Sequence, residues 1–156
     1  MRIYLLRHGE AKGEDQDPQR HLTEKGIREV RKVAELLRPL DLKVKAIWHS
    51  GKARAAQTAE VVAGAMTSEE GVTQRGGLAP NDPVQPVLDA VRNVDGDLMV
   101  VGHLPFLGKL ASALVIGDEG TALLSIASAG LVCLESGEEE GWQVAWMVVP
   151  ELLSVS

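Results

Sequence analysis

The chain has 156 residues, 45% of them apolar, and a formal net charge of −6. This length is typical of one domain, and the acidic charge argues against broad binding to nucleic acid or to an anionic membrane, since both require a basic face. No apolar stretch reaches the roughly 20 residues of a membrane span, and the N-terminus lacks the long apolar segment of a signal peptide. Cys133 has no second cysteine with which to form a disulfide. Together these features lead us to expect a cytoplasmic protein.

The first part of the chain predicts a strand, a loop and a helix. Ile3-Tyr4-Leu5-Leu6 is a short apolar run of strand-forming residues. A polar loop follows from Gly9 to His21. Thr23 is placed to cap a helix that Pro39 ends.

The rest of the chain continues to alternate. Strands are predicted over 44–48, 98–101, 121–135 and 142–149, and helices over 52–66, 87–94 and 105–116. The stretch 67–86 is predicted to be a loop, and the turn 136–141, with its three glutamates, to be solvated. Alternating strands and helices predict an α/β domain with a mostly parallel sheet, in which the last two strands pair antiparallel.

Unusual residues follow three of these strands. The first ends in Arg7-His8-Gly9-Glu10, the second in His49-Ser50 just before a helix with Arg54, and the third in Gly102-His103. Ligands collect outside the carboxyl ends of parallel strands, so two arginines and up to three histidines are predicted to meet at one edge. Arginines repel a metal cation and bind a dianion, so the pattern favours a phosphate site over a zinc site.

Other phosphate chemistries fit the sequence less well. Gly51-Lys52 is similar to the end of a P-loop, but the upstream glycine position is Ala46. Cys133 lies inside a predicted strand with no arginine shortly after it, and we interpret it as a buried apolar residue. Asp15 and Asp17 lie in a loop and do not follow a strand directly. His8 is the best-placed nucleophile that remains.

These motifs resemble the histidine phosphatase superfamily, whose signature is an Arg-His-Gly at the end of the first strand. Residues 50–59 are similar to the second family motif, Ser-x-x-x-Arg-Ala-x-Gln-Thr-Ala, and residues 101–105 to the third. The resemblance runs from the first strand to residue 105. It implies a three-layer α/β/α fold of the phosphoglycerate mutase type, with a single histidine phosphatase domain over residues 1–156.

The short length and the run Arg20-His21-Leu22-Thr23-Glu24-Lys25-Gly26 resemble the SixA-type branch, the phosphohistidine phosphatases. The pattern of that branch is Arg-Pro-Leu-Thr-x-x-Gly, so His21 stands in place of a proline. The branch lacks the large insertions that cover the site in sugar-phosphate mutases, and this chain has no room for them.

The resemblance implies that His8 attacks phosphorus, becomes transiently phosphorylated and is regenerated by water. Arg7 and Arg54 would disfavour the imidazolium and lower the pKa of His8. Together with His103, they would hold the oxygens of the transferred group. No metal and no cofactor are expected.

Three further residues are candidate substrate contacts. Gly9 would let the backbone come close to the phosphate. Ser50 would add a hydrogen bond, although a helix N-cap explains it about as well. Arg20 would reach the substrate or lie on the surface. His49 is better interpreted as a structural residue.

The general acid is left open by the sequence. Asp82 and Glu10 are candidates, but ordinary loop positions explain both, and the SixA-type branch lacks a clear acid. Imidazole is a far weaker base than an alkoxide, with a pKa of roughly 6.5. A phosphohistidine substrate would therefore depend less on a positioned acid.

The predicted function is a phosphatase that dephosphorylates phosphohistidine in a protein, for example a histidine-containing phosphotransfer protein. One alternative is a phosphatase for small phosphomonoesters that uses the same site. Another is an inactive phosphate-binding or docking module.

Overall fold

The computed structural model describes residues 1–137, 139 and 141–153. The strands are β1 Arg2–Arg7, β2 Lys43–Val44, β3 Ala46–His49, β4 Thr67–Ser68, β5 Val72–Gln74, β6 Leu98–Gly102, β7 Leu131–Ser136 and β8 Trp142–Val148. The α-helices are α1 Glu24–Leu37, α2 Ala53–Ala63, α3 Gln85–Val91 and α4 Phe106–Val115, and 3-10 turns cover Arg38–Leu40 and Pro150–Leu152. Within the described ranges, no helix is both long enough and apolar enough to cross a membrane.

The main sheet has six strands in the order β5-β3-β6-β1-β7-β8. The four strands from β5 to β1 pair parallel, whereas β7 and β8 pair antiparallel. The prediction of a mostly parallel sheet with an antiparallel last pair is confirmed. Because β6 lies between β1 and β3, the segments that follow these three strands are neighbours at one edge of the sheet.

Two apolar clusters cover the two faces of this sheet. One contains Tyr4 and Leu6 of β1 together with buried residues of α1 and α2. The other contains Ile3 and Leu5 of β1 together with buried residues of α3 and α4. Alternate side chains of a strand point to opposite faces, so the buried strand β1 faces both clusters. The three-layer α/β/α arrangement is confirmed.

Several predicted boundaries were wrong. The strand predicted over 44–48 is interrupted at Lys45, and β2 pairs with β4 outside the main sheet. The predicted loop 67–86 contains β4 and β5, which are too short to produce a periodic pattern. Residues 121–130 contain no strand, because their backbone turns to contact the residues that end β1. Of the acidic run, Glu138 and Glu140 lie outside the described residues, and Glu139 is exposed.

Candidate active site

The backbone of His8 is fixed from both sides of β1. Its amide donates to the carbonyl of Gly102, at the end of β6, over 2.9 Å, and its carbonyl accepts from the amide of Ala129 over 3.2 Å. The ring centroid of His8 lies 4.9 Å from that of His103, which follows β6. The predicted approach of these two strand-end histidines is therefore present in the structure.

The His8 ring is held in one tautomer. Its Nδ1 lies 2.7 Å from the carbonyl oxygen of Gly9, and because a carbonyl can only accept, Nδ1 carries the proton. Burial lowers the pKa of His8 to about 4, opposed by the Gly9 hydrogen bond and assisted by the charges of Arg54 and Arg7. At neutral pH the ring is uncharged, so Nε2 keeps a free lone pair.

His103 is nine-tenths buried, and Ser50 binds it. The hydroxyl oxygen of Ser50 lies 2.6 Å from Nε2 of His103, while the N-cap position of α2 belongs to Lys52. The N-cap interpretation of Ser50 is therefore wrong, because its short contact is to the histidine. Burial, followed by the neighbouring charges of His8 and Arg54, lowers the pKa of His103 to about 3.

Three arginines surround the histidine pair. Arg7 donates from Nη1 to the carbonyl of Ile126 over 2.9 Å, so the irregular segment 121–130 orients its guanidinium. Arg20, at a φ of 53°, donates from Nε to the carbonyl of Lys12 over 2.9 Å. The charges of Arg54, Arg7 and Arg20 all lower the pKa of His8. Arg20 thus contributes to the electrostatic field of the site.

Unsatisfied polar atoms are concentrated in this cluster. Over the described ranges, two buried side-chain nitrogens lack a hydrogen-bond partner, Nε of Arg7 and Nδ1 of His103. Buried polar groups without partners are rare in folded proteins and collect at functional sites. Both belong to side chains that the sequence assigned to a phosphate pocket.

Two residues that sequence reasoning gave no role connect α2 to the loop after β1. The buried Thr58 hydroxyl donates to the carbonyl of Arg54 over 2.8 Å and accepts from the amide of Gly9 over 3.1 Å. The Gln57 side-chain oxygen accepts from the amide of Leu22 over 2.7 Å. Both residues were visible in the second motif as Gln-Thr, but only the fold shows what they hold.

The loop after His8 packs closely against the first turn of α1. Thr23 caps this helix by accepting from the amide of Gly26 over 3.0 Å, as predicted. A side chain at Gly26 would collide with the backbone of Glu10, and one at Gly9 would come within 2.9 Å of Val30. The absence of a side chain at Gly9 is thus explained by helix packing, independently of any ligand.

The two candidate acids are engaged elsewhere. Glu10 accepts from the Thr23 hydroxyl over 2.7 Å, and Asp82 accepts from the amide of Ala79 over 2.9 Å within its own loop. His49 accepts at Nδ1 from the amide of Gly51 over 3.0 Å, which stabilises the turn between β3 and α2. The convergence therefore involves two histidines, and the structural interpretation of His49 agrees with this contact.

A groove extends from the site between two segments of the chain. Residues 14 and 18–20 form one wall and residues 51–54 the other, around a volume of about 440 Å³. Glu14 and Lys52 line this groove together with Arg20 and Arg54. Neither Glu14 nor Lys52 was singled out from the sequence as a site residue, because Glu14 lies in the polar loop after the first strand and Lys52 occupies an unspecified position of the second motif.

Comparison with known proteins identifies the family of the chain. The family model described as the histidine phosphatase superfamily (branch 1) matches residues 3–79. An uncharacterized protein of Picosynechococcus sp. is 35% identical over 144 residues, covering 88% of this chain and 86% of that protein. Phosphohistidine phosphatase SixA of Escherichia coli is 28% identical over 151 residues, covering 93% of this chain and 94% of that protein.

A solved structure of the protein histidine phosphatase SixA, in complex with tungstate, superimposes with a TM-score of 0.82. It is 25% identical, and the match covers 97% of this chain and 99% of that one. The fold, the three motifs and these relatives agree, and the chain belongs to the histidine phosphatase superfamily.

Proposed function

We propose that this chain is a phosphohistidine phosphatase that acts through a covalent phosphohistidine on His8, with residues 1–156 as its single catalytic domain and the cytoplasm as its location. The observation that carries the proposal is the state of the His8 ring. The ring donates from Nδ1 to Gly9, is uncharged at neutral pH and stands 4.9 Å from His103. A neutral imidazole with a free Nε2 is a nucleophile ready to attack phosphorus.

In the first step, Nε2 of His8 forms a bond to phosphorus while the bond from phosphorus to the substrate nitrogen breaks. The electron pair of the broken bond leaves with the substrate imidazole, which takes a proton from solvent. Arg7, Arg54 and Arg20 stabilise the negative charge on the phosphoryl oxygens during transfer. In the second step, water attacks phosphorus and loses a proton to solvent while the bond from phosphorus to Nε2 breaks. The electron pair of that bond returns to His8, and inorganic phosphate is released.

His103 and Ser50 are proposed to act as a pair. The nearly buried ring of His103 is neutral at pH 7, so it serves as a hydrogen-bonding group without adding a second fixed charge. The 2.6 Å contact from Ser50 to Nε2 of His103 restricts the orientation of that ring. Preorganised groups of this kind stabilise the transition state without reorganising during the reaction.

Two observations support phosphohistidine as the substrate. The carboxylates of Glu10 and Asp82 are both bound by other groups, and neither contact is to His8 or His103. A leaving imidazole, with a pKa of roughly 6.5, needs far less protonation than an alkoxide. In addition, the related SixA enzyme named above is a phosphohistidine phosphatase, and the SixA structure holds a tetrahedral oxyanion.

The nucleophile is tested by trapping. Brief reaction with a phosphohistidine protein labelled in its phosphoryl group should leave acid-labile, base-stable label on His8, located by peptide mapping. His8→Ala should abolish both labelling and turnover. Label on another residue, or turnover retained in His8→Ala, would overturn the assignment. If the wild-type protein binds the substrate but does not turn it over, the docking-module alternative is favoured.

The substrate is tested with matched peptides carrying phosphohistidine or phosphoserine. We expect kcat/KM to be at least about 100-fold higher for phosphohistidine, since general acid catalysis supplies about 10²–10⁴-fold in ester hydrolysis. Asp82→Asn and Glu10→Gln should leave phosphohistidine turnover nearly unchanged. Equal rates on the two peptides would contradict the substrate assignment and favour a phosphatase for small phosphomonoesters.

A further inference from the structure

Most of the charged side chains that line the groove beside the active site are positive. Arg20, Lys52 and Arg54 line it, and Glu14 is the one carboxylate on its described walls. Over the described ranges none of these three cations forms an ion pair, whereas Lys45 pairs with a carboxylate at 3.1 Å. Within the described residues, these three side chains therefore have no carboxylate partner and are available to bind an anion.

The size of the groove leaves room for a second group of the substrate. Its volume of about 440 Å³ falls in the range of about 300–1,000 Å³ that holds small molecules or extended side chains. Arg54 lines this groove, whereas His8 and Arg7 do not, so a phosphoryl group bound beside His8 would leave groove volume free. Lys52 lines the same groove as Arg54.

Lys52 lies beside the residues that contact His103. Its amide lies 3.3 Å from the Ser50 hydroxyl, which in turn lies 2.6 Å from His103. Its ammonium charge also contributes to the lowered pKa of His103, after burial and the charges of His8 and Arg54. The Lys52 side chain is exposed, so an incoming anion can reach it.

The first turn of α2 adds to this positive potential. Lys52 is the N-cap residue of α2, and no side chain caps the helix. The partial positive charge of a helix N-terminus favours anions within its first turn. Glu14 opposes this field and raises the pKa of Arg54, whereas burial, followed by the charge of Arg20, lowers it. Because three cations and one carboxylate line the groove, its lining is positively charged on balance.

We propose that Lys52 forms a second anion subsite beside the phosphoryl pocket, and that the preferred substrate carries a carboxylate close to its phosphorylated group. This inference deepens the proposed phosphatase function and rests on it. The carboxylate could come from an acidic residue next to a phosphohistidine in a protein or from a small phosphorylated acid. Both would present the same chemistry to the Lys52 ammonium.

The test uses pairs of substrates that differ by one carboxylate. One pair consists of phosphohistidine peptides with Asp or Asn beside the phosphohistidine, and the other of 3-phosphoglycerate and glycerol 3-phosphate. In Lys52→Ala the ratio of kcat/KM between the members of a pair should fall about tenfold, mainly through KM, the loss expected for one charge-assisted hydrogen bond. The pair that responds more strongly identifies the source of the carboxylate.

Two variants control the charge change. Lys52→Arg retains the cation and should restore most of the preference. Lys43→Ala removes the same charge from an exposed lysine that precedes β3 at the opposite end of that strand, and it should leave the ratio unchanged. If the wild-type protein shows no preference for the carboxylate, or if Lys43→Ala lowers the ratio as much as Lys52→Ala, the subsite is overturned.

Binding separates this inference from the proposed function. Calorimetric titration with the same two pairs gives the carboxylate preference without requiring turnover. A preference that depends on Lys52 in a protein without phosphatase activity would uphold the subsite and refute the function. Turnover with no preference in either binding or kinetics would uphold the function and refute the subsite.

Discussion

The buried hydroxyl of Thr58 gives the sharpest test of how the fold positions His8. This hydroxyl connects the carbonyl of Arg54 to the amide of Gly9, over 2.8 and 3.1 Å, and Thr58 has no exposed surface. Thr58→Val preserves the shape of the side chain and removes only its hydrogen-bonding group. Any change can therefore be attributed to these two contacts.

The Thr58→Val substitution should lower the free energy of unfolding mainly through its effect on Gly9. Its buried amide would lose its partner, which costs about 1–3 kcal/mol, whereas the Arg54 carbonyl keeps its bond within α2. The Gly9 carbonyl accepts a hydrogen bond from Nδ1 of His8, so a shift of this peptide also disturbs the tautomer of the proposed nucleophile. We expect kcat to fall at least about tenfold, since misplacement by about 1 Å can cost about 100-fold.

The assay combines urea unfolding with kcat on a generic aryl phosphate. The matched control is Thr58→Ser, which keeps the hydroxyl and loses one buried methyl group, at about 1 kcal/mol. It should lose stability but retain most of kcat. If Thr58→Val matches the wild-type protein in both measurements, or if Thr58→Ser loses as much kcat as Thr58→Val, the positioning role is refuted.

Three further predictions concern packing, pH and the thiol. Gly26→Ala should lower both the melting temperature and kcat, because its new methyl group meets the backbone that follows His8, whereas Gly64→Ala, with only ordinary contact at 3.5 Å and no positive φ, should be neutral in both measurements. The pKa values of His8 and His103 in the folded protein lie below those of an unfolded chain, so on acidification the unfolded chain binds protons that the folded chain does not. The free energy of unfolding should therefore be highest above about pH 7 and should fall as the pH is lowered from 6.5 toward 4. Each histidine contributes up to about 2 kcal/mol of this loss at pH 5. Urea unfolding at pH 5 and pH 7.5 should therefore show a weaker pH dependence for His103→Gln, and an unchanged dependence would contradict these pKa values. Burial raises the pKa of Cys133 to about 11, so a maleimide at pH 7 should leave native Cys133 unlabelled and activity intact; inactivation that follows labelling would show a functional thiol.

The convergence of the candidate site residues could be predicted from the sequence because most of them follow strands directly. A strand end fixes where a residue lies relative to the sheet, so Arg7, His8 and His103 could be assigned to one edge before the strand order was known. The family motifs added Arg54. The depressed pKa of His8 was also expected, although its largest cause is burial, which no charge pattern in the sequence reveals.

The rest depended on contacts between segments far apart in the chain. Residues 121–130 have strand-like composition, yet two hydrogen bonds to the end of β1 set their conformation. The carbonyl of Ile126 accepts from the Arg7 side chain, and the amide of Ala129 donates to the carbonyl of His8. Periodicity reports which face of a segment is buried. Periodicity does not show which backbone groups form hydrogen bonds with residues far away in the chain.

By itself, the sequence determined the α/β class, the strand-end motifs and the candidate phosphate-binding side chains, because these follow from local patterns of apolar, glycine and charged residues. Only the tertiary structure decided that β6 lies between β1 and β3, that Ser50 contacts His103, and that Lys52 faces a groove shared with Arg20. Strand order and loop packing arise from burial of the whole sheet between two layers of helices, and that balance of long-range contacts is not encoded in any single stretch of the chain.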